Sequence, residues 1–173
     1  MSADHAAGRL FWTVVDSPID PLLLVGDETG LRSLWMQPHE PPAGGVRDDD
    51  ALAPAATQLA EYFAGERTRF ELALAPRGTP FQQKVWLALR DIPYGRTTTY
   101  GAIATDLGQP TASRAVGLAN GRNPLAVVVP CHRVIGANGA LTGFGGGLPR
   151  KRWLLDHERR VLGANGDGPA GLW

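Results

Sequence analysis

The chain has 173 residues, 43% of them apolar, and no net formal charge, which suits one sizeable domain or two small ones sharing a core. Its 22 glycines and 14 prolines are scattered without a repeat period, which excludes a fibrous or low-complexity chain. No apolar run reaches the roughly 18 residues of a membrane span, and a single cysteine excludes an internal disulfide or a cysteine-based metal site.

One unpaired cysteine suits a reducing, cytoplasmic compartment. Met1 to Gly8 lacks the basic patch and apolar stretch of a secretory signal. The zero net charge hides an asymmetry. Residues 1–79 carry 6 Lys and Arg against 12 Asp and Glu, whereas residues 80–173 carry 11 against 5. A basic C-terminal half suits a polyanionic partner such as DNA, although a solvated surface with chance clustering gives the same counts.

Phe11 to Val15, Leu22 to Val25 and Leu31 to Met36 read as short strands separated by turn clusters, an antiparallel meander. Residues 37–50, with their prolines, glycines and the run Asp48-Asp49-Asp50, read as a mobile loop. Leu52 to Phe63 has helical apolar spacing and Gly65 can end it. Phe70 to Leu74 alternates as a further strand, and Ala75 to Gly78 reads as a linker. The second half opens with Thr79, Pro80 and Gln82, a capping box with proline at the first helical position. Tyr100 to Leu107 and Thr111 to Ala119 read as short helices joined by a turn of about three or four residues, which fits a helix-turn-helix or an ordinary helix pair. Ala126 to Val129 reads as a buried strand, Gly136 to Gly147 as loop, and Pro149 to His157 as a final helix.

The expected fold is therefore α/β of the α+β kind. A small antiparallel sheet with one helix covers residues 1–78. A mainly helical domain with the helix-turn-helix and the cysteine covers 79–160, and a flexible tail covers 161–173.

Chemistry concentrates at Pro130-Cys131-His132-Arg133. Pro130 breaks the preceding strand, so Cys131 falls at a turn or a single helical turn, where backbone N–H groups and nearby cations favour a thiolate. His132 supplies a base and Arg133 a fixed positive charge. A buried structural cysteine is the competing reading. The loop Gly143-Phe144-Gly145-Gly146-Gly147 suits a pocket for a planar group, with backbone donors.

These segments together resemble the O6-alkylguanine-DNA alkyltransferase family. The matching pieces are Ile92-Pro93-Tyr94-Gly95, Thr99-Tyr100-Gly101, Ser113-Arg114-Ala115-Val116-Gly117, Asn123-Pro124, Pro130-Cys131-His132-Arg133-Val134, the loop from Gly143 to Leu148, and Lys151-x-Trp153-Leu154-Leu155-x-x-Glu158. The match runs from about Thr79 to Glu158, with the N-terminal half similar only in layout.

The resemblance implies that Cys131 attacks the alkyl carbon on guanine O6 and keeps the alkyl group as a thioether, one event per molecule. It implies that His132 takes the thiol proton through a water and that Glu158 fixes the His132 tautomer. Tyr100 is expected to donate toward ring N3 of the leaving guanine, and Asn123 to brace the turn before the cysteine. The carbonyls of Cys131 and Val134 are expected to accept from the exocyclic amine, the Gly145 N–H to donate toward O6, and Phe144 to stack on the base. The implied partner is double-stranded DNA containing O6-alkylguanine, with O4-alkylthymine left open, and the base must be flipped out of the duplex. Arg114 is expected to fill the vacated stack from a slender helix set in the minor groove. Ser113, Ala115, Thr99, Arg122 and Arg133 are expected to contact the DNA.

Some family members hold a structural zinc in the N-terminal half. Here that half has no cysteine and only His5 and His39, so neither metal nor cofactor is expected. Phe144 stands where many relatives carry tyrosine, and Gly145 where some carry serine. A monomer is expected, with cooperative binding along DNA left open. Two other readings stand beside this one. A non-enzymatic lesion-binding protein would lack the cysteine. A Cys-His hydrolase would normally have its nucleophile and base far apart in sequence.

Overall fold

A computed structural model describes residues 8–36 and 39–164. The first half is a four-stranded sheet in the order β3-β2-β1-β4, built from β1 (Phe11–Val15), β2 (Leu22–Asp27), β3 (Gly30–Met36) and β4 (Val46–Arg47). β1, β2 and β3 form the expected antiparallel meander, with Thr13 opposite Leu24 and Leu24 opposite Leu34. The sheet is not purely antiparallel, however. Part of the segment read as loop forms β4, which pairs parallel to β1 at Phe11–Val46 and Trp12–Arg47. Two residues are too short to carry a periodic signal, so this pairing was invisible in the sequence.

β2 is buried along its whole length, and α1 (Ala53–Phe63) supplies Leu59 and Tyr62 to the same core. The alternation at Phe70 to Leu74 does not make a strand. Only Leu74 forms a bridge, to Leu31. Gly30 permits that approach: at φ 141° its backbone lies so close that a Cβ there would sit 2.5 Å from the Ala73 carbonyl oxygen.

In the second half, α2 (Pro80–Arg90) begins with the expected reciprocal capping box between Thr79 and Gln82. It buries Val85, Trp86 and Leu89. β5 (Thr98–Thr99) leads into α3 (Tyr100–Asp106), whose first turn is capped by the Thr99 hydroxyl. α3 packs on α4 (Ser113–Gly121). The connection spans residues 107–112, longer than expected, because Gly108 at φ 74° and the turn after it intervene. A single 3₁₀ turn (Cys131–Arg133) and β6 (Val134–Ile135), paired parallel to β5, follow. The closing helix α5 runs from Leu148 to Ala164, so the start of the expected tail is helical, and residues 165–173 lie outside the described residues. Among the described residues no helix is long and apolar enough to cross a membrane.

The two halves meet at β3. Leu34 N donates to the Pro124 carbonyl at 2.8 Å and pairs with Leu125, so the free edge of the sheet is stitched to the segment leading into Cys131.

Candidate active site

Ala126 to Val129 is not the strand that its apolar, β-branched run suggests. It is a tight turn: Val129 N donates back to Leu125 O at 2.8 Å, and Val127 takes a left-handed φ of 72°. That conformation strains a β-branched residue by about 1–3 kcal/mol and must be held by its surroundings. Asn123 holds it, accepting from Leu125 N at 3.0 Å and donating through Nδ2 to Val129 O at 2.8 Å. The chain then enters the 3₁₀ turn with Cys131 at its first position and 4% exposed.

Burial pushes the Cys131 thiol above its ordinary pKa. The Asn123 side chain, the Lys151 charge and the backbone N–H groups of Cys131 and His132 offset this only in part. The turn therefore does not hand over a ready-made thiolate, contrary to the sequence expectation, and the proton must be removed on demand.

His132 is fully buried, and its Nε2 lies 2.6 Å from Glu158 Oε2. Burial depresses the imidazole below 6.5, with Arg133 and Lys151 adding to the effect against the pull of Glu158. Burial opposes ionisation of Glu158, but the charges and bonds of His132 and Arg133 overcome it and hold the carboxyl far below its usual range. A neutral imidazole facing a carboxylate carries its proton on Nε2. That leaves the lone pair on Nδ1, a buried atom with no hydrogen-bond partner.

Glu158 gathers more than His132. Its Oε2 also accepts from the Tyr62 hydroxyl at 2.6 Å and from Arg133 Nη2 at 3.0 Å. Its Oε1 accepts from Arg133 Nε at 2.8 Å and Gly95 N at 3.0 Å. Arg133 spends its remaining reach on the Ile92 carbonyl at 2.7 Å. The expected DNA contact by Arg133 is thus overturned: the side chain is 6% exposed, and its guanidinium neutralises a buried carboxylate.

The motif reading did not include Tyr62, and it quoted Lys151 only as a matching piece without a role. Lys151 is fully buried, and burial lowers its ammonium to about 8 against the pull of Cys131. Its Nζ donates to Val134 O at 2.5 Å and Thr142 O at 2.7 Å, tying the glycine loop to the active-site turn. The signal was present. Lys151, Leu154, Leu155 and Glu158 are spaced i, i+3, i+4, i+7, which puts two charges in the buried stripe of α5.

A cavity of about 480 Å³ opens beside Cys131, lined among others by Asn123, Phe144 and Gly145. Tyr100 does not line it. Its hydroxyl donates to the Thr142 carbonyl at 3.0 Å. The Val134 carbonyl is already engaged by Lys151, and that of Cys131 accepts from Val134 N and weakly from Asn120 at 3.4 Å. On α4, Arg114 and Ala115 are exposed, Ser113 is half-buried at the first turn, and Arg122 is exposed at the C-terminal end. Ala119 on the inner side of α4 is buried, and its carbonyl accepts from Trp86 Nε1 at 2.9 Å. Thr99 is half-buried and occupied as a cap.

A buried thiol is followed in the chain by an imidazole anchored to a buried carboxylate, on a helical domain with an exposed arginine on its second short helix. Family models point the same way: 6-O-methylguanine DNA methyltransferase, DNA binding domain, matches residues 80–160, and the ribonuclease-like domain of the same family matches residues 10–76. The chain belongs to the 6-O-methylguanine DNA methyltransferase family. It is 52% identical over 153 residues to the methylated-DNA–protein-cysteine methyltransferase of Methanosarcina acetivorans, covering 86% of this chain and 98% of the relative. It is 54% identical over 153 residues to that of Mycobacterium tuberculosis, covering 87% and 93%. The crystal structure of M. tuberculosis OGT in complex with DNA superposes with a TM-score of 0.83 at 51% identity, covering 92% of this chain and 96% of the other.

Proposed function

We propose that the protein repairs DNA by direct reversal, moving a methyl or larger alkyl group from guanine O6 to Cys131 in one irreversible event. The observation that carries the reading is the division of labour on His132: Nε2 is committed to Glu158, Nδ1 keeps its lone pair, and the preceding residue, Cys131, opens on a cavity.

His132 takes the thiol proton through Nδ1 by way of a water, and the Glu158 carboxylate stabilises the imidazolium that forms. The sulfur attacks the alkyl carbon in line, the C–O6 bond breaks, and guanine leaves with the electron pair. Tyr100 turns from Thr142 toward ring N3 to relieve that charge. Phe144 stacks on the base, and the Gly145 N–H donates toward O6. The exocyclic amine donates to the remaining lone pair of the Val134 carbonyl. Arg114 enters the duplex where the base has left, and Ser113, Ala115, Thr99 and Arg122 lie along the backbone. The site needs a reduced cysteine, which suits a cytoplasmic setting.

Intact-mass measurement after mixing with duplex DNA containing O6-methylguanine tests the reading. One methyl should appear on the peptide carrying Cys131, and none on Cys131→Ser protein. Lesion binding without a mass gain would make the protein a passive lesion binder, and continued turnover of an ester or amide would make it a hydrolase.

A further inference from the structure

Part of the lining of the Cys131 cavity is supplied by the N-terminal half. Trp35, at the end of β3, lines the cavity together with His39. The two rings are stacked, with centroids 4.9 Å apart and planes within 13°. His39 Nδ1 lies 2.7 Å from the Met36 carbonyl, which fixes the imidazole over the indole. Met36 also sets the distance to the loop. A Cβ on Gly146 would sit 2.1 Å from Met36 Sδ and 2.9 Å from Phe144 Cε1. Aromatic groups from two segments therefore line the cavity, Phe144 from the loop and Trp35 from β3 with His39 stacked on it.

The size of the cavity bears on what it holds. At about 480 Å³ it falls among the roughly 300–1,000 Å³ clefts that take drug-sized ligands. The flipped guanine fills part of that volume, and a methyl on O6 adds little to it, so a larger O6 group draws more on the remaining lining.

We propose that the Trp35–His39 stack is the specificity-determining wall for the transferred group, favouring lesions in which O6 carries a flat arylmethyl substituent. The inference rests on the alkyl-transfer reading and names its substrate class. The Cys131 sulfur bonds to the benzylic carbon as the C–O6 bond breaks. The bond pair stays with guanine, which takes up the proton that His132 removed from the thiol. The aryl ring remains on sulfur as a thioether against the Trp35 and His39 faces. A ring in offset or edge contact at 4.5–7 Å is held by more than its buried area alone. Binding energy already present on approach raises the second-order rate constant.

Rate constants measured with duplex DNA carrying O6-methylguanine or O6-benzylguanine, normalised to the fraction of protein that accepts a methyl group, test this. Trp35→Ala should lower the benzyl-to-methyl rate ratio by about three- to tenfold, the range one aromatic pair supplies. His39→Ala, at an exposed position, should lower it in the same direction without endangering the fold. A ratio that is unchanged or raised in both variants overturns the inference and leaves methyl repair intact. Failure of the unaltered protein to react with either DNA overturns the repair reading as well.

Discussion

Tyr62 and His132 lie in different halves of the chain, yet each binds the same oxygen, Glu158 Oε2, at 2.6 Å. The N-terminal half therefore reaches the site by two routes, through Tyr62 on the carboxylate and through Trp35 and Met36 of β3 in the lining of the Cys131 cavity. Because one oxygen serves both donors, each weakens what the other receives.

Tyr62→Phe removes a buried bond to a charged acceptor, which should cost about 1.5–3 kcal/mol of stability. With one donor gone, Glu158 becomes the stronger partner of His132, so the imidazole pKa should rise. The acid limb of the methyl-transfer pH profile should shift to higher pH. Urea unfolding and single-turnover rates across pH check the two effects separately.

Arg133 is a structural cation. Arg133→Met leaves Glu158 buried without its guanidinium partner, a change of the kind that costs about 3–5 kcal/mol. Arg133→Lys should recover only part of this, because an ammonium cannot reproduce the fork that spans both carboxylate oxygens and the Ile92 carbonyl. The slope of DNA affinity against salt should stay unaltered in folded protein, since no phosphate contact is removed. A slope reduced by about one would restore the DNA contact.

Acid should destabilise the protein in two stages. His132 has a folded pKa depressed below 6.5, so the unfolded chain binds the extra proton and stability falls as pH drops through 6.5. Glu158 is also depressed, so its contribution is present above 4.5 and is lost as pH falls further toward its folded value. His132→Asn should flatten the first stage and also weaken the second, because His132 helps hold the Glu158 carboxyl low. Denaturant midpoints at a series of pH values through both windows give the answer.

Arg114→Ala should keep the reaction with free O6-benzylguanine and lose roughly tenfold or more on duplex DNA, where a base must first be unstacked. Parallel rates on the two substrates are the check. Equal losses would remove Arg114 from base extrusion.

Much of this was readable in the residues. The Thr79–Gln82 box, the helices and the first three strands follow from local rules that tertiary packing did not override. The failures share a cause. Ala126 to Val129 has the composition of a strand, but its N–H groups turn back on Leu125 and Ala126, and Asn123 takes the Val129 carbonyl. Arg133 was expected on the DNA because sequence cannot show that Glu158, 25 residues away, claims it. Tyr62 was out of reach for the same reason, at a separation of 96 residues. Lys151 was reachable, since a lysine in the apolar stripe of α5 announces a buried charge.

The pairing of Leu34 with Pro124 and Leu125 bears on any attempt to cut the molecule in two. A fragment beginning at Thr79 would keep every reacting group. It would nevertheless surrender the scaffold against which the strained Val127 corner is clamped, and the phenol that shares the carboxylate. The sheet left behind would present an unguarded strand to any passing chain. Severed, each piece has reason to misassemble, and so the molecule is best regarded as indivisible.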